Sequence, residues 1–360
     1  QMSELVHDMR AVCVLAGRSP RDAEGMSSVL QVVSAIERMA NDAVDIARIV
    51  THRLGIPHQL VADLSDAEEV SHRVLVSDGS HMAYRPLSAL ELTVQAGMRV
   101  MAVRRGRQWI TDVDGDTVLV PGDALFLHGS SDGITRLREL AAAPVWEPLR
   151  PEDGEALTDL DRAVDVLVEM KNLSEAAVGL AYSALVLGDR GLAAEVGHLE
   201  ERLDEMKDHL ELWVLGAAAE GLNPSSLRGL LHLAEAAEDL GDQARAMVWL
   251  VEEGEELPPI LGIALGEADE VVVRFPVATD SAVDGATLKT LQLNIEPGFT
   301  VLAVRRGGGY VYRPRGQVRL SAGDEIIASG PDEGQALLAA MCGWQLVEDD
   351  EGEDELVPVG

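Results

Sequence analysis

Apolar residues recur along this chain in two rhythms. Leu160, Ala163, Leu167, Met170, Leu173, Ala177, Leu180, Ala184 and Leu187 step by three or four, the stripe of one amphipathic helix. Gly188-Asp-Arg-Gly191 interrupts it, and a second stripe runs through Leu192, Val196, Leu199, Leu203, Met206, Leu210, Trp213 and Ala217 to a stop at Gly221. Asn223-Pro224 then supplies a cap and a first-turn proline for a third helix. Its stripe is Leu227, Leu230, Ala234, Ala237, Gly241, Ala244, Val248 and Val251, ended by Pro258-Pro259. Three such helices predict a small antiparallel bundle.

Elsewhere the apolar runs are short and bounded by glycine and proline. Strands are predicted over residues 74–76, 100–103, 117–120, 124–128 and 271–273, with turns at Gly106 and Pro121-Gly122-Asp123. Residues 87–92 read as a short helix before a turn at Gly97, and 135–142 and 333–341 as closing helices. The expected modules are small, mixed and βαβ-like.

These patterns occur twice. Shifting the chain by 201 positions lays Met98-Arg-Val-Met-Ala-Val-Arg-Arg-Gly106 on Phe299-Thr-Val-Leu-Ala-Val-Arg-Arg-Gly307 without a gap. In the same register Leu87, Leu90 and Leu92 fall on Leu288, Leu291 and Leu293, Gly97 on Gly298, and Gly122-Asp123 on Gly323-Asp324. Upstream, Glu37 falls on Glu238 and Pro57 on Pro258, so bundle and sheet module are duplicated together. The first copy has no counterpart of the first bundle helix, as if a partner or a preceding segment supplied it. Its remaining stripe, Met9, Val12, Leu15, Met26, Leu30, Val33 and Val44, is expected to need covering.

Charge narrows the functional classes. The chain of 360 residues carries 62 acidic and 29 basic residues, a net charge of -33, and only three of the basic residues are lysines. Such a field repels phosphate backbones and anionic lipids, which argues against nucleic-acid or peripheral membrane binding. It suits either a salt-adapted or a high-GC source. Cys13 and Cys342 are far apart, so neither a disulfide framework nor a zinc site is indicated. Neither a membrane-spanning run nor a signal pattern is visible, and the expected location is cytoplasmic.

The residues Leu-x-Leu…Gly…Val-x-Ala-Val-Arg-Arg-Gly…Pro-Gly-Asp…Gly-Ser resemble the TrkA-C (RCK-C) ligand-binding domain of regulators of potassium conductance. Ile36-Glu-Arg-Met-Ala-Asn-Asp-Ala-Val-Asp-Ile-Ala47 resembles the signature helix of PhoU, a regulator of phosphate uptake. The resemblance implies an α+β chain in which PhoU-like three-helix bundles alternate with small RCK-C domains as a tandem duplication. Its expected divisions are a partial bundle at 1–60, RCK-C domains at 68–143 and 268–344, a linker at 144–157, a bundle at 158–262 and an acidic, solvated tail at 345–360. It further implies a homodimer or higher assembly, a membrane cation transporter or channel as partner, and an effector such as cyclic di-AMP bound where RCK-C domains pair. No Gly-x-Gly-x-x-Gly nucleotide loop precedes either domain.

Candidate chemistry is sparse. Arg104, Arg105, Arg305 and Arg306 end matching strands, and forked guanidinium donors suit effector phosphates, although a surface ion pair with a nearby carboxylate explains them too. Asp123 and Asp324 sit in tight turns, where Asp commonly bonds its own backbone. The resemblance to PhoU implies a divalent metal on Glu238 and Asp242, and in the first copy on Glu37 and Asp45, with Asn41 breaking the motif; a solvated acidic face is the alternative. His128 and His232 lack a nucleophile or carboxylate partner, and no catalytic constellation is visible, so an enzyme is not expected. Two other readings remain, a metal-dependent regulator of phosphate uptake and a scaffold with no ligand.

Overall fold

The computed structural model describes residues 20–51, 69–111, 113–145, 158–254, 270–348 and 354–358. Along the chain come helix α1 (Pro20–Thr51), then strand β1 (Glu69–Leu75), a short helix α2 (Leu92–Ala96), strands β2 (Met98–Arg105), β3 (Gln108–Ile110) and β4 (Ala124–Ser130), and helix α3 (Ile134–Leu140). Three long helices follow, α4 (Asp159–Leu187), α5 (Arg190–Ala219) and α6 (Pro224–Glu253). The second sheet module repeats the first as β5 (Glu270–Pro276), α7 (Leu288–Leu291), β6 (Thr300–Arg306), β7 (Gly309–Tyr312), β8 (Glu325–Pro331) and α8 (Gln335–Met341), and a hairpin of β9 (Trp344–Glu348) and β10 (Asp354–Pro358) closes the chain. The contacts divide this sequence into two compact units, Gln1–Leu64 with Arg150–Ala268, and Ser65–Leu149 with Asp269–Gly360.

In the helical unit α4, α5 and α6 each have a side-chain N-cap, and the one at Asn223 is the cap expected from the sequence. Thr158 and Asp161 form a reciprocal capping box on α4, Asp189 caps α5, and Asn223 caps α6 ahead of Pro224. The stripes of α4, α5 and α6 face one another, with Leu173, Leu180, Leu199, Leu203, Leu230 and Val248 buried. Helix α1 lies along α6. The side-chain amide of Gln31 donates to the Ala246 carbonyl at 3.4 Å, while Asp42 feels the charge of Asp239. Moving forward on α1 therefore moves backward on α6, so the pair is antiparallel.

The face that α1 buries is not the expected one. Val29, Val32, Ala35 and Ile49 are buried, whereas Val44 is 49% exposed. Met26, Leu30 and Val33 are only half-buried. Of these, Met26 and Val33 match Leu227 and Ala234, buried on α6, whereas Leu30 and Val44 match Leu231 and Arg245, which are exposed. The side that α1 uses instead has a four-three rhythm, Ser28, Val32, Ala35, Met39, Asp42, Ile46 and Ile49, and the same positions of α6 are Gly229, Leu233, Ala236, Leu240, Gln243, Met247 and Leu250. Two equivalent helices thus meet through equivalent faces, as an antiparallel coiled-coil seam. Met9, Val12, Leu15 and Pro258-Pro259 lie outside the described residues.

Each sheet module is antiparallel throughout, so the modules are not βαβ-like. The strand orders are β1-β4-β2-β3 and β5-β8-β6-β7, and both central strands carry a bulge at the same repeat position, Val100/Ala102 and Val301/Ala303. The predicted strand at 117–120 does not join the first ladder. Thr117 and Leu119 exchange backbone hydrogen bonds with Tyr84, Arg85 and Leu87, leaving one isolated bridge between Pro86 and Val118. The acidic tail also differs from expectation. Residues 354–358 pair with 344–348, and Leu346 and Leu356, directly opposite each other, pack onto the core of the second module. Alternation of apolar and polar residues puts one face of this ribbon inward despite its charge.

Candidate functional site

The two sheet modules share one unit, and they meet at the start of β2 and β6. Gly97, which closes α2, and its equivalent Gly298 have φ of 59° and 89°. A Cβ on Gly97 would strike the Asn294 carbonyl, and one on Gly298 would strike the Thr93 carbonyl. Thr93 and Asn294 are themselves equivalent, so the contact is reciprocal, the signature of a pseudo-two-fold pair within one chain. Only glycine lets a backbone carbonyl approach this closely while holding a left-handed φ.

Polar contacts at the same junction break the symmetry. The Asn294 amide donates to Ser130 Oγ at 2.7 Å and lies 3.4 Å from Asp132 Oδ2. Arg99 of the first module reaches Glu270 of the second at 3.4 Å, with both side chains about half exposed (45% and 57%). At the positions equivalent to Ser130 and Arg99 the second module has Pro331 and Thr300. Sequence reasoning missed Arg99 and Asn294. The signal was present in the repeat, as polar positions at which the two copies differ beside invariant glycines.

The four arginines singled out from sequence end the strands that begin at this junction. Eight residues of extended strand at about 3.3 Å each put Arg105 roughly 26 Å along the strand from Gly97. Arg105 grips Asp123 with Nε at 2.9 Å and Nη2 at 2.8 Å, and donates to the Val118 carbonyl at 2.8 Å. Arg306 does the same to Asp324 at 2.8 and 2.6 Å, and to the Arg319 carbonyl at 2.7 Å. Asp123 and Asp324, 0% and 3% exposed, also accept from the Val120 and Ser321 amides. For Asp123 burial pushes the carboxyl up, but the Arg105 hydrogen bonds and the Val120 amide outweigh it and hold the group below its ordinary value. For Asp324 the Arg306 hydrogen bonds dominate and lower it likewise. Both pairs fasten a turn to a strand end.

Arg104 and Arg305 point to the opposite sheet face. Arg305 pairs with Glu325 at 2.8 Å, whereas Arg104 lies over the Trp109 ring, 5.8 Å from its centroid, because Ala124 stands where the second copy has Glu325. The strand alternation separates the neighbouring arginines as expected.

The two carboxylates proposed for metal on α6, Glu238 and Asp242, lie close enough for Asp242 to act on the Glu238 carboxyl by its charge, and Lys207 also reaches Glu238. Glu238 accepts from Lys207 at 2.7 Å, and burial, chiefly, holds its carboxyl above the ordinary value. Asp242 is exposed on α6, Glu37 is half-buried on α1, and Asp45 pairs with Arg48 at 2.6 Å. Among the described residues no group of three or more His, Cys, Asp or Glu is arranged to hold a metal ion. His232 has a carboxylate neighbour after all, Glu235 at 3.7 Å on the same helix, while His128 is half-buried on β4.

Comparison with known families decides the architecture. The TrkA-C domain model matches residues 72–142 and again 272–343, and the PhoU domain model matches 167–250. The chain combines two TrkA-C domains with a PhoU domain. Both are regulatory families and not enzyme families. One TrkA-C domain thus holds β1 to α3 and the other β5 to α8, and the PhoU match covers most of α4, α5 and α6. Among curated proteins, an uncharacterized transporter of Synechocystis (sll0640) is 35% identical over 69 residues, 19% of this chain and 11% of that protein, so the chain spans about a tenth of its relative. Solved structures with detectable likeness include the RCK_C domain dimer of S. agalactiae BusR in complex with c-di-AMP, with 20% identity, 21% of this chain, 93% of that one and a TM-score of 0.20. The GsuK channel bound to NAD is another, with 15% identity, 77% of this chain, 53% of that one and a TM-score of 0.20. Superpositions at that level do not bear on how the TrkA-C domains work. No helix among the described residues is long and apolar enough to cross a membrane.

Proposed function

We propose that this chain is a regulatory subunit of a membrane cation transporter, potassium being the expected ion, switched by a small anionic effector where its two TrkA-C domains pair. The reading rests on one observation, the reciprocal docking of Thr93 on Gly298 and Asn294 on Gly97 within a single chain. An effector that prefers one pose of the pair over another is all such a switch requires. Arg99 is a cation at this junction, and its bond to Glu270 is long and half exposed, the kind of ion pair worth only about 0–1 kcal/mol. An effector phosphate can therefore take the guanidinium from Glu270 at little cost and alter how the two domains are tied. Arg105 and Arg306, each held by a buried carboxylate, are poor candidates for that role. The division into partial bundle, TrkA-C domain, linker, bundle, TrkA-C domain and tail belongs to the same proposal, as does a cytoplasmic location. The name of the Synechocystis relative is consistent with a link to transport.

Calorimetry on the whole chain in high potassium, with cyclic di-AMP, AMP and ATP as separate probes, tests the reading. The expected result is one site per chain for one of these nucleotides, weakened at least tenfold by Arg99→Ala and kept or tightened by Glu270→Gln. No heat with any nucleotide would leave the scaffold reading. Metal retained after dialysis, lost on Glu238→Gln, would instead favour the phosphate-uptake reading.

A further inference from the structure

We infer that Asn294 makes the pairing of the TrkA-C domains selective, so that the second domain accepts the first and rejects a second copy of itself. This goes beyond the effector reading and holds whether or not anything binds at the junction.

The steric half of the contact is indifferent to partner. Gly97 and Gly298 are both glycine, and each receives a backbone carbonyl, so first-on-first, second-on-second and first-on-second pairings would all pass that test. The polar half is not indifferent. Asn294 needs an acceptor across the junction and finds Ser130 Oγ at 2.7 Å. On the opposite side of the pseudo-two-fold, Thr93 has Pro331 beside Gly298. Were two second domains to pair, each Asn294 would meet a Pro331, whose ring accepts nothing, and only Glu333, in the place of Asp132, would remain as an acceptor. Each Glu270 would meet Thr300 in place of Arg99, so that tie across the junction would be lost.

Two first domains would keep Arg99 opposite Glu69 by sequence, but Thr93 carries no amide to reach Ser130. Only the mixed pair makes both ties. Specificity arises because wrong pairings strand polar groups, a stronger discriminator than adding one more favourable contact. Since both partners lie on one chain, the mixed pair forms intramolecularly at high effective concentration. Each chain then closes its own junction, and an assembly of several chains carries one junction per chain.

Cross-linking separates the alternatives. In a Cys13→Ser background, with Cys342 buried, the double variant Ser130→Cys/Asn294→Cys is oxidised at low protein concentration and run without reductant. The expected product is a disulfide within the monomer. A covalent dimer as the main product would overturn the inference, because it places the tie between chains. A second variant needs no disulfide. Thr300→Arg/Pro331→Ser gives the second domain the partners of the first, in a Ser130→Ala/Arg99→Ala background that removes the competing ties within the chain. Sedimentation should show at least a tenfold rise in dimer over the background alone at equal concentration. Unchanged association would remove the selective role of Asn294.

Discussion

Asp42 on α1 and Gln243 on α6 occupy the same position of a duplicated helix, and each has a side-chain oxygen sealed from water without a hydrogen-bond partner. Both lie in the seam between the two helices, otherwise lined by Val32, Ala35, Met39, Ile46, Ala236, Leu240 and Met247. A lone polar residue in such a seam fixes register at a cost in stability. Asp239, across the seam from Asp42, adds like charge to that cost.

Replacing the polar positions should therefore stabilise the helical unit. Asp42→Leu and Gln243→Leu are each expected to raise its unfolding free energy by about 1 kcal/mol, read by urea denaturation followed by helical circular dichroism. Destabilisation by both would show that the seam forms differently in solution.

The same seam should respond to pH and salt. Burial, Asp239 and Asp45 raise the Asp42 carboxyl above its ordinary value, with Arg38 opposing; burial, Glu235, Asp242 and Asp45 raise Asp239, with Lys207 opposing. An acid whose folded pKa is raised binds protons more tightly folded than unfolded, so lowering the pH through the folded value stabilises the fold. Hydrogen exchange from α1 amides, corrected for intrinsic pH dependence, should slow on mild acidification and on adding potassium chloride at neutral pH.

The turn locks behave with the opposite sign. Arg306 holds the Asp324 carboxyl below its ordinary value, so its contribution is complete above the unfolded pKa and is lost as pH falls through the folded one. Asp324→Ala strands the Ser321 amide and the Arg306 fork and should cost about 2 kcal/mol in thermal denaturation at neutral pH, much less once the carboxyl is protonated. Asp123→Ala is expected to match it.

Gly97→Ala and Gly298→Ala test the junction directly. Each puts a methyl into a backbone carbonyl of the other domain at a left-handed φ, and each should cost about 2 kcal/mol or more. Gly122→Ala, at φ 89° but with open space around it, should cost about 1 kcal/mol from backbone strain alone. Equal losses at all three sites would mean that the two domains do not press on each other there.

Cys342 should be silent in the folded protein. Burial pushes its thiol up to about 12. Thiol titration at pH 8 is expected to detect it only after unfolding.

Much of this molecule was legible before any coordinates. Helices α4, α5 and α6 follow stripes and caps that are local properties of the chain, and Asn223-Pro224 starts α6 as the sequence requires. The repeat announced the two TrkA-C domains. Residues 117–120 misled because an apolar run looks the same whether its backbone pairs with a ladder or with Tyr84 and Arg85. Stripes also could not say which of two apolar faces of α1 is buried, since the deciding partner, α6, lies some 200 residues away.

By itself the sequence determined the elements, the duplication and the glycines at Gly97 and Gly298, because periodicity, capping and φ preference act between neighbours along the chain. Tertiary structure alone decided that Arg105 and Arg306 are tied to buried aspartates and that Asn294 meets Ser130. Those outcomes depend on which polar group finds a partner once water is excluded, and the cost of leaving one unpaired is set by groups distant in sequence.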